Sequence, residues 1–329
     1  MKLLAVVINY RTAEMTIEAL RHLVPELRGI PAARAVVVEN GSGDGSLEAL
    51  REAVAREGWG DRVAVVPSDH NLGFAGGINF ALRPALAGDA SPDCVYLLNS
   101  DAFAAPGAVE VLLAFLERNP EVGICGSHIH GLDGVPHDTA FRFPTIVGEF
   151  IARVPLWPLT PLLRRFAVAM PMPGQPQRVD WLAGASMMIR RSVLDSIGLF
   201  DEEFFLYYEE TDFCLRARNA GFPTWYVPES RVAHVGSAST GIQDPSRPRA
   251  GYWFESRRRY LRKHHGLLYL WLANVVWVAG FAAGQVRRRL RGLPDSDPPH
   301  LLRDFVRHNF LARRLVRPEI GGTRPAGSS

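Results

Sequence analysis

Short apolar runs alternate with stretches of helical periodicity through the first hundred residues, and each run ends in polar side chains. Residues 3–9 are hydrophobic up to Asn9, the pattern of a strand buried on both faces of a parallel sheet. Residues 12–24 carry Met15, Ala19, Leu20 and Leu23 at helical spacing, and Pro25 marks the predicted end. Residues 35–39 predict a second strand, followed by a helix through Leu47, Leu50 and Val54. Residues 63–66 predict a third. After the turn Asn71-Leu-Gly-Phe-Ala-Gly-Gly77, a helix is expected from about residue 78 to 86. Residues 94–98 form a fourth strand, ending in Asn99-Ser-Asp101. Further on, residues 184–190 read as a strand and residues 209–220 as a helix stopped by Gly221. Residues 224–227 and 231–235 read as two short strands.

Strands and helices alternating at this spacing imply an α/β fold, a mostly parallel sheet flanked by helices. Ligands of such sheets bind beyond the carboxyl ends of the strands. The polar residues fall at those ends: Asn9 and Tyr10, Glu39 and Asn40, His70 and Asn71, Asn99 and Asp101. Between residues 143 and 176 the pattern breaks into a proline-rich apolar stretch, whose length marks it as a functional loop or lid.

A second signal is the segment Gly198-Leu-Phe-Asp-Glu-Glu-Phe-Phe-Leu-Tyr-Tyr-Glu-Glu-Thr-Asp212. Asp201, Glu202, Glu209, Glu210 and Asp212 are interleaved there with Phe and Tyr. A solvated surface does not carry that much aromatic area, and a core does not hold that much unpaired charge. Acids in a partly apolar cleft serve to tune a base or hold a cation. The plainer reading is that acids in a first helical turn complement its dipole, with Asp212 pairing Arg216 at i,i+4.

Composition adds little to this picture. The 329 residues are 47% hydrophobic and 22% charged, ordinary for a globular chain. The net charge of +3 conceals an asymmetry, because acids gather mid-chain and arginines crowd the last quarter. Cys94, Cys125 and Cys214 have no paired spacing, which points to a reducing compartment. Residues 3–8 read directly as a strand rather than a leader, so a cytoplasmic location is expected.

Asp101, just past a strand, can hold a divalent cation against a diphosphate or serve as a turn residue before the next helix. Glu39 can accept from a ribose or pair with a nearby Arg. Asn9-Tyr-Arg-Thr12 follows the first strand where a dinucleotide fold needs Gly-x-Gly-x-x-Gly, which argues against a nicotinamide or flavin enzyme.

Val6-Val-Ile-Asn-Tyr10, Val37-Val-Glu-Asn-Gly-Ser-Gly-Asp-Gly-Ser46, Asn71-Leu-Gly-Phe-Ala-Gly-Gly-Ile-Asn79 and Leu97-Leu-Asn-Ser-Asp101 occur in order. Gly184-Ala-Ser-Met-Met-Ile-Arg-Arg191, the acidic segment, Tyr208-Glu-Glu-Thr-Asp-Phe-Cys-Leu-Arg216 and His234 follow. Over residues 3–240 the chain resembles the family 2 inverting glycosyltransferases of GT-A fold, in their rhamnosyltransferase-like branch. The resemblance implies that Asn9, Tyr10, Thr12, Glu39, Asn40, Asn71 and Asn99 surround the donor nucleotide, with Gly73 and Gly76 letting the backbone approach it. Asp101 would hold Mg²⁺ or Mn²⁺ on the diphosphate, with His234 a further ligand or a satisfied loop histidine. The catalytic base would come from Glu209, Glu210 and Asp212. The family pattern there is Glu-Asp-x-Asp, whereas this chain has Glu209-Glu-Thr-Asp212 and so holds Glu210 where Asp is usual. By resemblance the leading donor is dTDP-rhamnose and the acceptor a lipid-linked or polymeric envelope glycan. Rival readings are a transferase of galactose or N-acetylglucosamine, and a non-catalytic nucleotide-sugar-binding or scaffold protein.

Residues 241–329 read as a basic and apolar helical extension of the 1–240 domain. Residues 266–285 carry no charge and would just reach across roughly 30 Å of hydrocarbon. A helix lying on the inner face of the plasma membrane, a packed or dimerising helix and a true span all fit. No nucleic-acid recognition motif accompanies the basic tail.

Overall fold

The computed structural model describes residues 1–88, 91–154, 163–236, 246–294 and 297–311. Its centre is a sheet of nine strands among these residues. The strands are β1 (Leu3–Asn9), β2 (Arg34–Glu39), β3 (Val63–Pro67), β4 (Cys94–Asn99), β5 (Ala102–Ala104), β6 (Ile124–His130), β8 (Gln177–Val179), β10 (Ser186–Arg190) and β11 (Thr224–His234). They run in the order β3-β2-β1-β4-β10-β6-β11-β5, with β8 also on β11. A hairpin-like pair, β7 (Ala140–Phe141) and β9 (Trp181–Leu182), stands beside it. The first four strands are mutually parallel, whereas β10 runs antiparallel between β4 and β6.

Strand β1 shows why the run of apolar residues was continuous. Leu3, Ala5 and Val7 point into one core with Leu20, Leu23 and Leu27 of α1 (Ala13–Arg28), Leu50 of α2 (Ser46–Arg56) and Leu112 of α4 (Ala108–Arg118). Leu4, Val6 and Ile8 point into the other. There they meet Ile78 and Leu82 of α3 (Gly73–Ala87), Val193 of α6 (Arg191–Ile197) and Phe213 of α7 (Glu209–Asn219). Both faces are covered, so neither position parity can be polar.

Four local expectations are revised. α1 continues to Arg28 through Pro25, because Pro25 is exposed and the buried stripe runs on to Leu27; the carbonyl it strands faces water. α3 starts at Gly73, so the glycine-rich turn is the helix's own first turn. The two short strands after α7 are one, β11, with a register shift between Val227 and Arg231. The irregular stretch contains α5 (Ile146–Arg153), capped by Thr145, whose hydroxyl accepts from Gly148 N. Residues 155–162 of that stretch, and the boundary placed at residue 240, lie outside the described residues.

The 40-residue helix α8 (Gly251–Leu290) breaks at Gly266, where φ is 84° and ψ 178°, a conformation that glycine alone adopts cheaply. Its first limb joins the sheet domain. Tyr260 and Leu261 pack with Phe204 and Leu215, and Leu270 and Ala273 of the second limb complete the cluster. Arg257, 1% exposed, holds Glu149 of α5 through Nε (2.8 Å) and Nη2 (2.5 Å) and donates from Nη1 to Asn274 (2.8 Å). One guanidinium therefore links α5 to both limbs. Burial opposes its charge, yet Glu149 raises its pKa overall. Substitution Arg257→Ala leaves the Glu149 carboxylate alone in a buried site, and we expect a loss of about 3–5 kcal/mol in urea unfolding. Lys in its place recovers only part of this, since it cannot reproduce the forked contact.

Candidate active site

Register brings the polar strand ends together. Asn9 lies opposite Glu39, Glu39 opposite Pro67, and Ile8 opposite Asn99, so the ends of β1, β2, β3 and β4 form one rim. β5 turns back from β4 and pairs with β11, placing His234 opposite Ala102, one residue from Asp101.

Several rim residues work beneath the surface. The Asn9 side chain is fully buried: Oδ1 accepts from Thr16 (2.8 Å) and Thr12 (3.4 Å), and Nδ2 donates to Ser42 (3.4 Å). Asn40, 2% exposed, donates to Asn71 Oδ1 and the Gly73 carbonyl and accepts from Leu72 N. Both amides fix loops at the rim, Asn9 beneath β1 and Asn40 beneath the Asn71–Gly73 turn. Glu39 accepts from Ser42 N at 2.8 Å rather than pairing with an arginine. Tyr10, Thr12 and Asn71 are half-buried on the rim itself.

The glycines of the Asn71–Gly77 turn also depart from expectation. At Gly73, with φ +74°, a Cβ would sit 2.3 Å from the Phe205 carbonyl, which accepts from Phe74 N. A Cβ on Gly76 would meet Leu72 at 2.9 Å. The room these glycines leave is filled by the protein, and what it admits is the acidic segment, docked on the first turn of α3. Asn79, which sequence reasoning passed over inside its motif, completes the docking. Its amide donates to the Phe200 carbonyl and to Glu202, and Phe200 N donates back to its Oδ1.

Asp101, 5% exposed, stands at the end of this rim. His234 Nε2 lies 3.1 Å from its Oδ1 and 3.3 Å from Nδ2 of Asn99, while Asn99 Oδ1 is buried without a hydrogen-bond partner. Among the described residues no cluster of three or more His, Cys, Asp or Glu is arranged to cage a metal. One carboxylate, an imidazole and an orphaned amide oxygen do suit a cation that takes its other ligands from substrate phosphates and water, as Mg²⁺ does.

The five acids divide by partner. Asp201 is bound by Arg259 (3.0 Å) and Lys263 (2.8 Å) and Glu202 by Arg83 and Asn79. Asp212, wholly buried, is bound by Arg216 (2.8 Å), Lys263 (2.6 Å) and His264 (2.7 Å). Burial alone would raise Asp212; the His264, Lys263 and Arg216 contacts outweigh it and hold the carboxyl down to about 2. The i,i+4 pairing with Arg216 exists, within a set of three basic partners around the Asp212 carboxylate. Lys263 and His264 were not legible from local sequence, since they lie some fifty residues away.

Glu209 and Glu210 are the remainder, and Oε2 of each is buried without a hydrogen-bond partner. Burial pushes Glu210 up to about 7, only partly offset by backbone donors that include Gly184; burial and the Glu210 charge push Glu209 well above the carboxylate range. They follow Tyr207 and Tyr208, both left-handed (φ 69° and 68°), a strained pair of the kind that clusters at functional sites. Gly184 precedes Ala185, whose carbonyl accepts from Asn99 N, so the backbone before β10 joins Glu210 to the rim.

A mainly parallel sheet flanked by helices, with one antiparallel strand inserted beside β4, is a fold of GT-A type. Solved glycosyltransferases share this fold. A mannosyltransferase from Pyrobaculum calidifontis, solved with GDP-Man and Mn²⁺, matches at TM-score 0.55 and 15% identity, over 88% of this chain and 75% of that one. S. aureus TarS matches at 0.50 and 16%, over 94% and 81%. At these identities the likeness is one of fold. The model of glycosyltransferase like family 2 matches residues 2–266, and the chain belongs to that family. The match takes in the first limb of α8. A Mycobacterium tuberculosis protein named N-acetylglucosaminyl-diphospho-decaprenol L-rhamnosyltransferase is 31% identical over 265 residues, covering 78% of this chain and 79% of that protein. A Haloferax volcanii protein, the low-salt glycan biosynthesis hexosyltransferase Agl10, is 29% identical over 216 residues, 65% of this chain and 60% of that one.

Because the folded pKa of Asp212 lies below its ordinary 3.8, its stabilisation is present above that value and is lost as pH falls toward 2. In Asp212→Asn that acid-side decline should flatten. At neutral pH the same variant should lose about 3 kcal/mol in denaturant unfolding, because Arg216 and Lys263 lose their buried counter-charge.

Proposed function

We propose that this glycosyltransferase moves a sugar, with L-rhamnose favoured, from a nucleoside-diphosphate donor to a lipid-linked or polymeric glycan acceptor of the cell envelope, with inversion. The observation that carries the catalytic assignment is the partition of the acidic segment. Asp201, Glu202 and Asp212 are tied to cations, whereas Glu210 is a buried carboxyl with a pKa of about 7 beside the rim. Similarity to the Mycobacterium tuberculosis L-rhamnosyltransferase supports the choice of sugar and acceptor class.

Tyr10, Thr12, Glu39 and Asn71 face the nucleoside on a floor set by Asn9 and Asn40, and Asn99 lies toward the diphosphate. Asp101 and His234 would hold Mg²⁺ or Mn²⁺, which when bound neutralises charge on the leaving diphosphate. Glu210 takes the proton of the acceptor hydroxyl as that oxygen bonds to the anomeric carbon. The bond from that carbon to the diphosphate breaks, and the nucleoside diphosphate leaves with the electron pair. A single displacement from the opposite face inverts the centre. Burial and the Glu210 charge keep Glu209 protonated, which leaves Glu210 as the ionisable member of the pair, and Asp212 positions the helix that carries both. Donor supply and the three buried, free cysteines accord with work at the cytoplasmic face of the plasma membrane.

Glu210→Gln should lower kcat about 10²–10⁴-fold while leaving donor affinity within error, measured by calorimetric titration. Full activity in that variant removes the assignment. The base must be ionised, so kcat/KM should rise with pH through a limb near 7 in the wild type. Asp101→Asn should abolish the Mn²⁺-dependent part of donor binding without altering the thermal transition of the free protein. A panel of dTDP-, UDP- and GDP-sugars in the same titration tests the donor.

A further inference from the structure

The second limb of α8 has two faces of opposite character. Leu270, Ala273, Asn274, Trp277, Gly280 and Gly284 are buried against the protein. A Cβ on Gly280 would come within 3.2 Å of the Phe150 ring, and one on Gly284 within 3.1 Å of the Arg153 carbonyl, so α5 lies directly on this face. The opposite face is a continuous exposed apolar stripe. Leu268 (81% exposed), Trp271 (58%), Leu272 and Val275 lead through Ala279, Ala282 and Ala283 to Val286 and Leu290 (82%). Apart from the adjacent pairs 271/272 and 282/283, successive members are three or four residues apart, so the stripe stays on one side for about 33 Å. Soluble monomers rarely leave so long a contiguous apolar surface to water.

The charges around it choose the occupant. Between residues 256 and 294 the sequence contains no Asp or Glu, while Arg257, Arg258, Arg259, Arg262, Lys263, Arg287, Arg288, Arg289 and Arg291 bracket the apolar stretch. Of these, Arg262, Lys263, Arg289 and Arg291 are exposed, Lys263 while paired with Asp201 and Asp212. A second copy docked on the stripe would bring basic ends against basic ends or leave them unmatched. The chain's own residues 312–329, with four arginines and one glutamate, have the same sign. An anionic bilayer surface satisfies both features, taking the apolar stripe at the acyl boundary and the arginines at the headgroups.

We infer that the second limb of α8 lies in the plane of an anionic membrane leaflet, its Leu268–Leu290 stripe inserted and its inner face still docked on α5. A transmembrane orientation conflicts with that inner face. It would set the Arg257–Asn274 contact and the Arg153, Gln285 and Asp297 side chains, which bond to one another, in hydrocarbon or tear them apart. The first limb carries Arg259, Lys263 and His264 to Asp201 and Asp212, so one helix, bent at Gly266, spans from the acidic segment to the membrane face. That a lipid-linked acceptor arrives along this face rests on the proposed transferase reading; the membrane contact does not.

The test uses the full chain with phosphatidylcholine vesicles, with and without added phosphatidylglycerol. The protein should co-sediment with the anionic vesicles, and added salt should weaken this. Leu268→Glu/Trp271→Glu and Arg289→Gln/Arg291→Gln should each cut partitioning about ten-fold or more. All four side chains are exposed, so unfolding transitions should not shift. Unchanged partitioning in the Glu variant overturns the inference, as does a light-scattering mass that falls from dimer to monomer in it. Retention in membranes after alkaline extraction, the mark of a span, also overturns it. Lipid-free donor binding and hydrolysis, run on the same samples, report the transferase reading separately, so either can fail without the other.

Discussion

The Asp212 carboxylate is the point on which the arrangement of this molecule turns. It is wholly buried, and Arg216 from its own helix converges on it with Lys263 and His264 from a segment some fifty residues away. Arg216, one of them, also donates to the carbonyls of Ile197 and Leu199, where the acidic segment begins. Lys263, another, shares itself with Asp201 in the middle of that segment. A buried charge left alone is expensive, so these groups must assemble together. Doing so docks the first limb of α8 onto α7 and closes the segment over the first turn of α3.

That knot creates the contrast used for chemistry. Asp212 and Glu210 are two residues apart on one helical turn, yet one carboxyl is held down to about 2 and the other pushed up to about 7. Cations saturate the first; the second has burial without a cation. Helix geometry permits this, because positions i and i+2 point to different sides. The departure from the family's usual Asp lengthens the side chain at position 210 by one methylene, while the strained Tyr207–Tyr208 pair sets where that side chain begins. Local backbone strain and global ion pairing thus act on the same few atoms.

Much of the fold was legible locally. The strand limits of β1 and β4 follow from unbroken apolar runs, since a strand covered on both faces has no place for a polar residue until it emerges. Misreadings arose where a local signal met a tertiary demand. Pro25 did not end α1 because the buried stripe continued past it. The glycines at 73 and 76 looked like space for a ligand and are space for Phe205 and Leu72. α5 was hidden among prolines, though Thr145 with a first-turn Glu149 was a readable start.

Sequence by itself determined which residues end strands, which segment concentrates acid among aromatics, and the family to which both belong. Those are properties of nearest neighbours along the chain, and periodicity records them. Only the tertiary structure decided which acid is held down by cations and which is pushed up by burial. That depends on Lys263 and His264, some fifty residues from Asp212, and on Gly184 beside Glu210. The same holds for the last apolar helix, whose composition fits a core, an interface or a span. Packing buried one of its faces against α5 and Arg257 and left the other bare, and the sidedness of a helix is fixed by what it packs against.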